Sequence, residues 1–206
     1  MDRRPSPNRL LRSIGPHASR LNWKTYLPST YCVPKQLLAN TLVTNETNKP
    51  ILFVDVDGVI SLFGFAPDTG ELPGPMRWID GVAHCIPEDV GQRLVTLAES
   101  FELVWATGWE ERANEHLPHL LNLPFRDLPC LTFDGRAVFG SAHWKVEAVD
   151  EYAAERPAAW IDDNLGDECQ AWAKRRTAPT LLVETSPSVG LTDEHVSILL
   201  RWAEEL

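Results

Sequence analysis

Acidic side chains in this 206-residue chain stand directly behind apolar runs, where an enzyme would need them. Ile51-Leu52-Phe53-Val54 leads at once into Asp55-Val56-Asp57-Gly58, FELVWAT closes on Thr107, and AAWID closes on Asp162 with Asp163 next. Open parallel sheets bind their ligands at the carboxyl ends of the strands, so residues that terminate strand-like runs converge on one edge. Asp55, Asp57, Asp162 and Asp163 gathered there with the Thr107 hydroxyl would be an expensive concentration of negative charge unless a cation shared the site. Mg2+ suits such a set, because it takes hard oxygen ligands, binds through one or two carboxylates and completes its shell with a substrate phosphate and waters.

These segments resemble the four ordered motifs of the haloacid dehalogenase superfamily of hydrolases. FVDVDGV is similar to the first motif, VWATGW to the second, Lys145 in SAHWKVE to the third and WIDDN to the fourth, over residues 51–206. WATGWEERAN, WIDDN and the late GLTDEHV look most like small bacterial domains of that superfamily, some of them linked to RNA-repair architectures. The resemblance implies a magnesium-dependent phosphomonoesterase in which Asp55 is the nucleophile and forms an aspartyl-phosphate. Asp57 would protonate the leaving oxygen and then activate water, its main-chain carbonyl helping to hold the metal. Thr107 and the Gly108 amide, opening the next helix, would bind phosphoryl oxygens. Lys145 would offset charge at the aspartyl-phosphate, with Arg136 as the alternative cation. Asp162 would coordinate the metal, Asp163 would act through water or hold Lys145, and Asn164 would add a supporting hydrogen bond. An Asp at position 57 favours ester cleavage over dehalogenation, since an alkoxide needs a proton and a halide does not. Trp109 at the site edge is a candidate contact for a base or another flat group, whereas Trp105 and Trp160 read as core.

The elements that must position these residues follow from the pattern of the chain. Short apolar runs at Ile51–Val54, Phe101–Thr107, Ala158–Asp162 and Thr180–Val183 alternate with helix-like segments near 88–99, 110–121, 142–155, 166–175 and 192–205. That alternation predicts a three-layer α/β/α sandwich around a mainly parallel, Rossmann-like sheet. Residues 60–86, rich in Gly, Pro and aromatics, predict a β-hairpin flap around Pro67-Asp68-Thr69-Gly70 and Pro73-Gly74-Pro75, and residues 131–140 a second hairpin turning at Asp134-Gly135. The intervals from Asp57 to Thr107 and from Thr107 to Lys145 are too short for a large cap domain, which predicts an open site able to take a small ester or a phosphate at the end of a macromolecule.

Composition bounds the rest. Residues 1–50 carry eight Lys/Arg against two Asp/Glu, a net +6, with scattered prolines and no sustained periodicity, and are expected to be a largely disordered extension. Residues 51–206 carry 11 against 27, a net −16, and are expected to be the single catalytic domain. Such an acidic body argues against an extended nucleic-acid-binding surface, though not against a strand end. Four dispersed cysteines, no secretory h-region and no membrane-length apolar run predict a reduced, cytoplasmic protein that does not engage membranes. The competing functions are a nucleotide or polynucleotide end phosphatase and a binding or regulatory module that keeps the fold with little turnover.

Overall fold

The apolar run that precedes Asp55 folds as strand β1 (Ile51–Val54), all four residues of it buried, and buried on both faces as a continuous apolar run requires. The hairpin β2 (Met76–Ile79) and β3 (Val82–Cys85) follows, then α1 (Val90–Ala98), β4 (Glu102–Trp105) and α2 (Arg112–Leu120). A 3-10 turn at His143–Lys145 runs into α3 (Val146–Ala153), and the chain ends in β5 (Ala158–Asp162), α4 (Asp167–Arg175), β6 (Thr180–Glu184) and α5 (Asp193–Glu204). This computed structural model describes residues 49–65, 72–133 and 141–206, which belong to one compact unit, Glu46–Leu206. The basic N-terminal segment up to residue 48, the 134–140 part of the second expected hairpin and the 67–70 turn signal lie outside the described residues.

β4, β1, β5 and β6 form one parallel sheet in that order, so the predicted α/β sandwich with a parallel sheet is what the chain builds. Side chains alternate across it. Leu52, Val54, Leu103, Trp105, Ala159 and Ile161 face α1, α2 and α5 through Leu94, Leu97, Leu117 and Leu199. Ile51, Phe53, Val104, Ala106, Ala158 and Trp160 face α3 and α4 through Val149, Ala153, Cys169 and Trp172. Each fully buried aliphatic or aromatic side chain contributes roughly 1.5–3 kcal/mol, and these two layers clamp the sheet between them.

Among the described residues, only the hairpin and α1 lie between β1 and β4, and α2 with connecting loops between β4 and the 3-10 turn, so these residues build no large cap over the sheet edge. The hairpin of β2 and β3 turns at Asp80-Gly81, both at positive φ (49° and 81°), rather than at Pro73-Gly74-Pro75. An Asp-Gly pair is the stronger signal, because both central residues of a type I′ turn need positive φ; Pro73-Gly74-Pro75 instead forms the approach to β2, with Gly74 accepting a hydrogen bond from the Cys85 thiol at 3.3 Å.

Asn114 fastens α2 and the loop after it to the sheet. Its side-chain oxygen accepts from the Trp105 indole N–H at 2.9 Å and from the Leu128 N–H at 3.1 Å, and its amide donates to the Leu128 carbonyl at 2.8 Å. Trp105 is fully buried, so removing this acceptor strands an indole N–H that water cannot reach. Asn114→Ala is expected to lower the unfolding free energy by about 2–4 kcal/mol, read by urea denaturation, whereas a loss under about 0.5 kcal/mol, the range of plain surface changes, would show that the brace carries little of the fold.

Candidate active site

β1 sits at the topological switch of the sheet, with β4 on one side and β5 on the other, and its carboxyl end opens the crevice where such folds bind ligands. The register places Val54 opposite both Trp105 and Ile161, so Asp55 comes level with Asp162. The Asp55 N–H donates to the Ile161 carbonyl at 3.1 Å, and the Ala106 N–H donates to the Val54 carbonyl at 2.9 Å. Strand alternation then sends the side chains of Asp55 and Asp162 to the face shared by Phe53 and Trp160, the face covered by α3.

Lys145 arrives on that face from the 3-10 turn that runs into the start of α3. Its ammonium lies 2.9 Å from Asp55 Oδ1 and 2.7 Å from Asp162 Oδ2, and all three residues are buried. The partner of Lys145 is therefore Asp162, with Asp55, and not Asp163 as one sequence expectation had it. Asp162 Oδ1 accepts from the backbone N–H of Asn164 at 3.1 Å, so Asn164 supports the site through its main chain. The Ala142 N–H donates to the Asn164 carbonyl at 3.1 Å, which ties the lysine-bearing turn to the strand end it serves.

Oxygens of Asp55, Asp162 and Asp163 lie within 4.8 Å of one another. Burial, strengthened by the charge of Asp162, pushes Asp55 up to about 7 despite the neighbouring lysine, and burial with Asp162 pushes the half-buried Asp163 up to about 6. Burial alone would depress the Lys145 ammonium, but the charges of Asp55 and Asp162 outweigh it and hold it above its ordinary value. One ammonium divided between two carboxylates neutralises neither, and with Asp163 the cluster is two positive charges short once all three acids are ionised. All-oxygen donors with that deficit fit a divalent hard cation such as Mg2+. Gly58, at φ 77°, lets the loop after β1 lie against Asp163; a Cβ there would come within 2.5 Å of the Asp163 Cγ.

Thr107 is buried, and among the described residues its hydroxyl receives only a long contact from the Trp109 N–H at 3.4 Å. Gly108 is exposed at the rim but does not open a helix, since α2 starts at Arg112. The Glu110 N–H donates to the Thr107 carbonyl and the Arg112 N–H to the Trp109 carbonyl, each at 3.1 Å, and Glu110, at φ 49° with its carboxylate accepting from the Phe133 N–H at 2.8 Å, blocks the helix from starting earlier. The amides after Thr107 thus present a tight turn to a ligand, and the helix dipole lies farther off than expected.

Asp57 is exposed and its side chain stands outside the carboxylate cluster, with Oδ2 accepting from the Trp109 indole N–H at 3.0 Å. Trp109, expected to face substrate, has its polar edge committed to Asp57 and packs edge-to-face with His84 at 4.8 Å between centroids. His84, which no motif in the sequence singles out, is the residue that sequence reasoning missed. Arg136, the alternative to Lys145, lies outside the described residues. No helix among the described residues is long and apolar enough to cross a membrane.

Residues 51–196 match a family model described as the HAD domain in Swiss Army Knife RNA repair proteins. No curated protein matches the chain. Among solved structures, the chain is similar to the HAD domain of the effector protein Lem4 from Legionella pneumophila, with a TM-score of 0.53 at 17% identity over 76% of this chain and 96% of that one. An inactive mutant of the same Lem4 domain aligns equally well, with a TM-score of 0.53 at 16% identity over 76% and 95% of the two chains. At these identities the likeness is one of fold.

The raised carboxyls make stability depend on pH in a definite direction. In the metal-free protein Asp55 and Asp163 hold their protons more tightly folded than unfolded, so their contribution is complete below the ordinary value of 3.8 and is lost as pH rises through about 6 and about 7. Comparison with Asp55→Asn, which cannot ionise there, isolates the Asp55 part. The stability of wild type relative to that variant is expected to fall by on the order of 2 kcal/mol between about pH 4 and pH 8 in chelator, and millimolar MgCl2 is expected to restore it at the upper end. Thermal melts that show a pH-independent gap between the two proteins would mean the cluster is not strained as described.

Proposed function

This chain belongs to the family of HAD domains found in Swiss Army Knife RNA repair proteins, and from that membership and the site we propose that it is a magnesium-dependent phosphomonoester hydrolase whose nucleophile is Asp55. The observation that carries the reading is the Lys145 ammonium bound to both Asp55 and Asp162 at the carboxyl edge of the sheet. That lysine stands where a phosphoryl group transferred to Asp55 would bring new negative charge.

In the first step an Asp55 carboxylate oxygen attacks phosphorus and the bond to the leaving oxygen breaks, while Asp57 gives that oxygen its proton and the alcohol departs. In the second, water loses a proton to Asp57 and attacks phosphorus. The bond to Asp55 then breaks, releasing phosphate and returning both side chains to their starting states. Lys145 holds the Asp55 carboxylate in one orientation and balances charge on the phosphorylated form. Thr107 and the amide of Gly108 are the proposed contacts for the remaining phosphoryl oxygens. Mg2+ would be held by Asp55, Asp162, Asp163 and the main-chain carbonyl of Asp57, and when bound it supplies positive charge to the phosphoryl oxygens.

A second reading, a nucleotide or polynucleotide end phosphatase, is favoured by the RNA-repair setting in the family's description. The absence of a cap domain among the described residues supports it, since a strand end could then reach the rim of the sheet. So does Trp78 on the hairpin, 76% exposed and able to stack on a base. The net −16 of residues 51–206 limits such contact to the end of a strand.

Hydrolysis of p-nitrophenyl phosphate is expected to require Mg2+, to stop in chelator and to be lost in Asp55→Asn. Equal rates in the two proteins would sink the nucleophile assignment. Across sugar phosphates, nucleotides, phosphopeptides and 5′- or 3′-phosphorylated oligonucleotides, preference for the oligonucleotides by at least about tenfold in kcat/KM supports the second reading, and a preference for small esters overturns it.

A further inference from the structure

Asp57 differs from the other acids at the sheet edge in being exposed, and an exposed carboxyl has several rotamers open to it. A proton donor that wanders by about 1 Å loses on the order of 100-fold in rate, so the site needs something that fixes Asp57. The only side-chain hydrogen bond made to it among the described residues comes from the Trp109 indole N–H, at 3.0 Å from Oδ2.

Trp109 is itself held from two directions. Its backbone lies in the tight turn after β4, with its carbonyl accepting from the Arg112 N–H at 3.1 Å and its N–H directed at the Thr107 hydroxyl. Its ring meets the His84 imidazole edge-to-face, planes 66° apart, on β3. His84 Nδ1 in turn lies 2.8 Å from the hydroxyl of Ser61, a buried residue of the same loop that carries Asp57. That loop is pinned to β3 again by the Leu62 N–H, which donates to the Cys85 carbonyl at 2.8 Å. Asp57, Trp109, His84 and Ser61 therefore close a ring of contacts that starts and ends on one short loop.

We infer that Trp109 is a positioning residue for Asp57, clamped by His84 and Ser61 so that its N–H occupies Oδ2 and leaves Oδ1 to exchange the proton with the leaving group and with water. An oxygen that accepts from an indole N–H acts as the carbonyl oxygen of the neutral acid, so the acidic proton resides on the other one. The inference rests on the acid–base role proposed for Asp57, and it assigns the indole to that acid and not to a base of the substrate.

The test separates proton donation from other losses by the leaving group. p-Nitrophenolate departs as a stabilised anion and needs little protonation, whereas an alkyl phosphate such as glycerol phosphate needs it fully. Trp109→Phe keeps a ring for His84 and deletes the N–H; His84→Ala keeps the N–H and deletes the clamp. With Trp109→Phe, kcat for the alkyl ester is expected to fall by about tenfold or more beyond the fall for the aryl ester, with KM for both little changed. His84→Ala is expected to show the same bias more weakly, and Asp57→Asn more strongly. An equal loss on both esters, or a rise in KM alone, overturns the inference while leaving the proposed reaction intact. Should thermal melts show that Trp109→Phe is unfolded, His84→Ala decides on the same criterion, and an unbiased loss or none overturns the inference. Wild-type protein with no magnesium-dependent turnover on either ester overturns both.

Discussion

A single buried ammonium held between two buried carboxylates is the constraint around which this domain is organised. Taking Lys145, Asp55 and Asp162 out of water costs several kcal/mol per ion, and only close mutual contact offsets that. The contacts of 2.9 and 2.7 Å therefore oblige three separate elements to meet at fixed distances. β1 and β5 must be adjacent and in register so that the acids lie side by side, and the 3-10 turn before α3 must dock at their ends. The packing of Val149 and Ala153 beneath Phe53 and Trp160 sets that docking, which links the two-layer core directly to the geometry of the charges.

The same electrostatics explains why the cluster remains unbalanced. Asp163, with Gly58 drawn against it, adds a third carboxylate that no side-chain cation meets among the described residues. Stability is spent here on a site held ready for positive charge, a common trade at functional positions. Around this rigid centre the rim is built differently. Asp57, Gly108 and Trp109 sit on turns, and the hairpin of β2 and β3 reaches them through His84, with its tip bound to α2 through Asp80, Arg112 and His116. Elements stacked on the sheet hold the charges, while hydrogen bonds and one aromatic contact hold the rim.

The sequence by itself determined the sheet and the order of the site. Buried parallel strands must be continuously apolar, and ligands gather where such strands end, so Asp55, Thr107 and Asp162 could be assigned to one edge from ILFVD, FELVWAT and AAWID alone. The helices were legible from their own apolar periodicity, their boundaries to within two residues except at the start of α3, where the 3-10 turn His143–Lys145 delays the helix by four. Which partner Lys145 chooses was decided only in three dimensions. Asp162 and Asp163 are neighbours in the chain, but β5 ends at Asp162, whose side chain strand alternation sends to the face covered by α3, while Asp163 lies in the bend beyond the strand, against Gly58. Trp109 was placed at the site by its position after Gly108, but the direction of its N–H depends on His84 and Ser61, which lie 25 and 48 residues earlier and meet it only when the hairpin folds over the sheet edge. Local pattern fixes what an element is and where it ends; contacts between elements far apart in the chain fix what each side chain at that end is able to do.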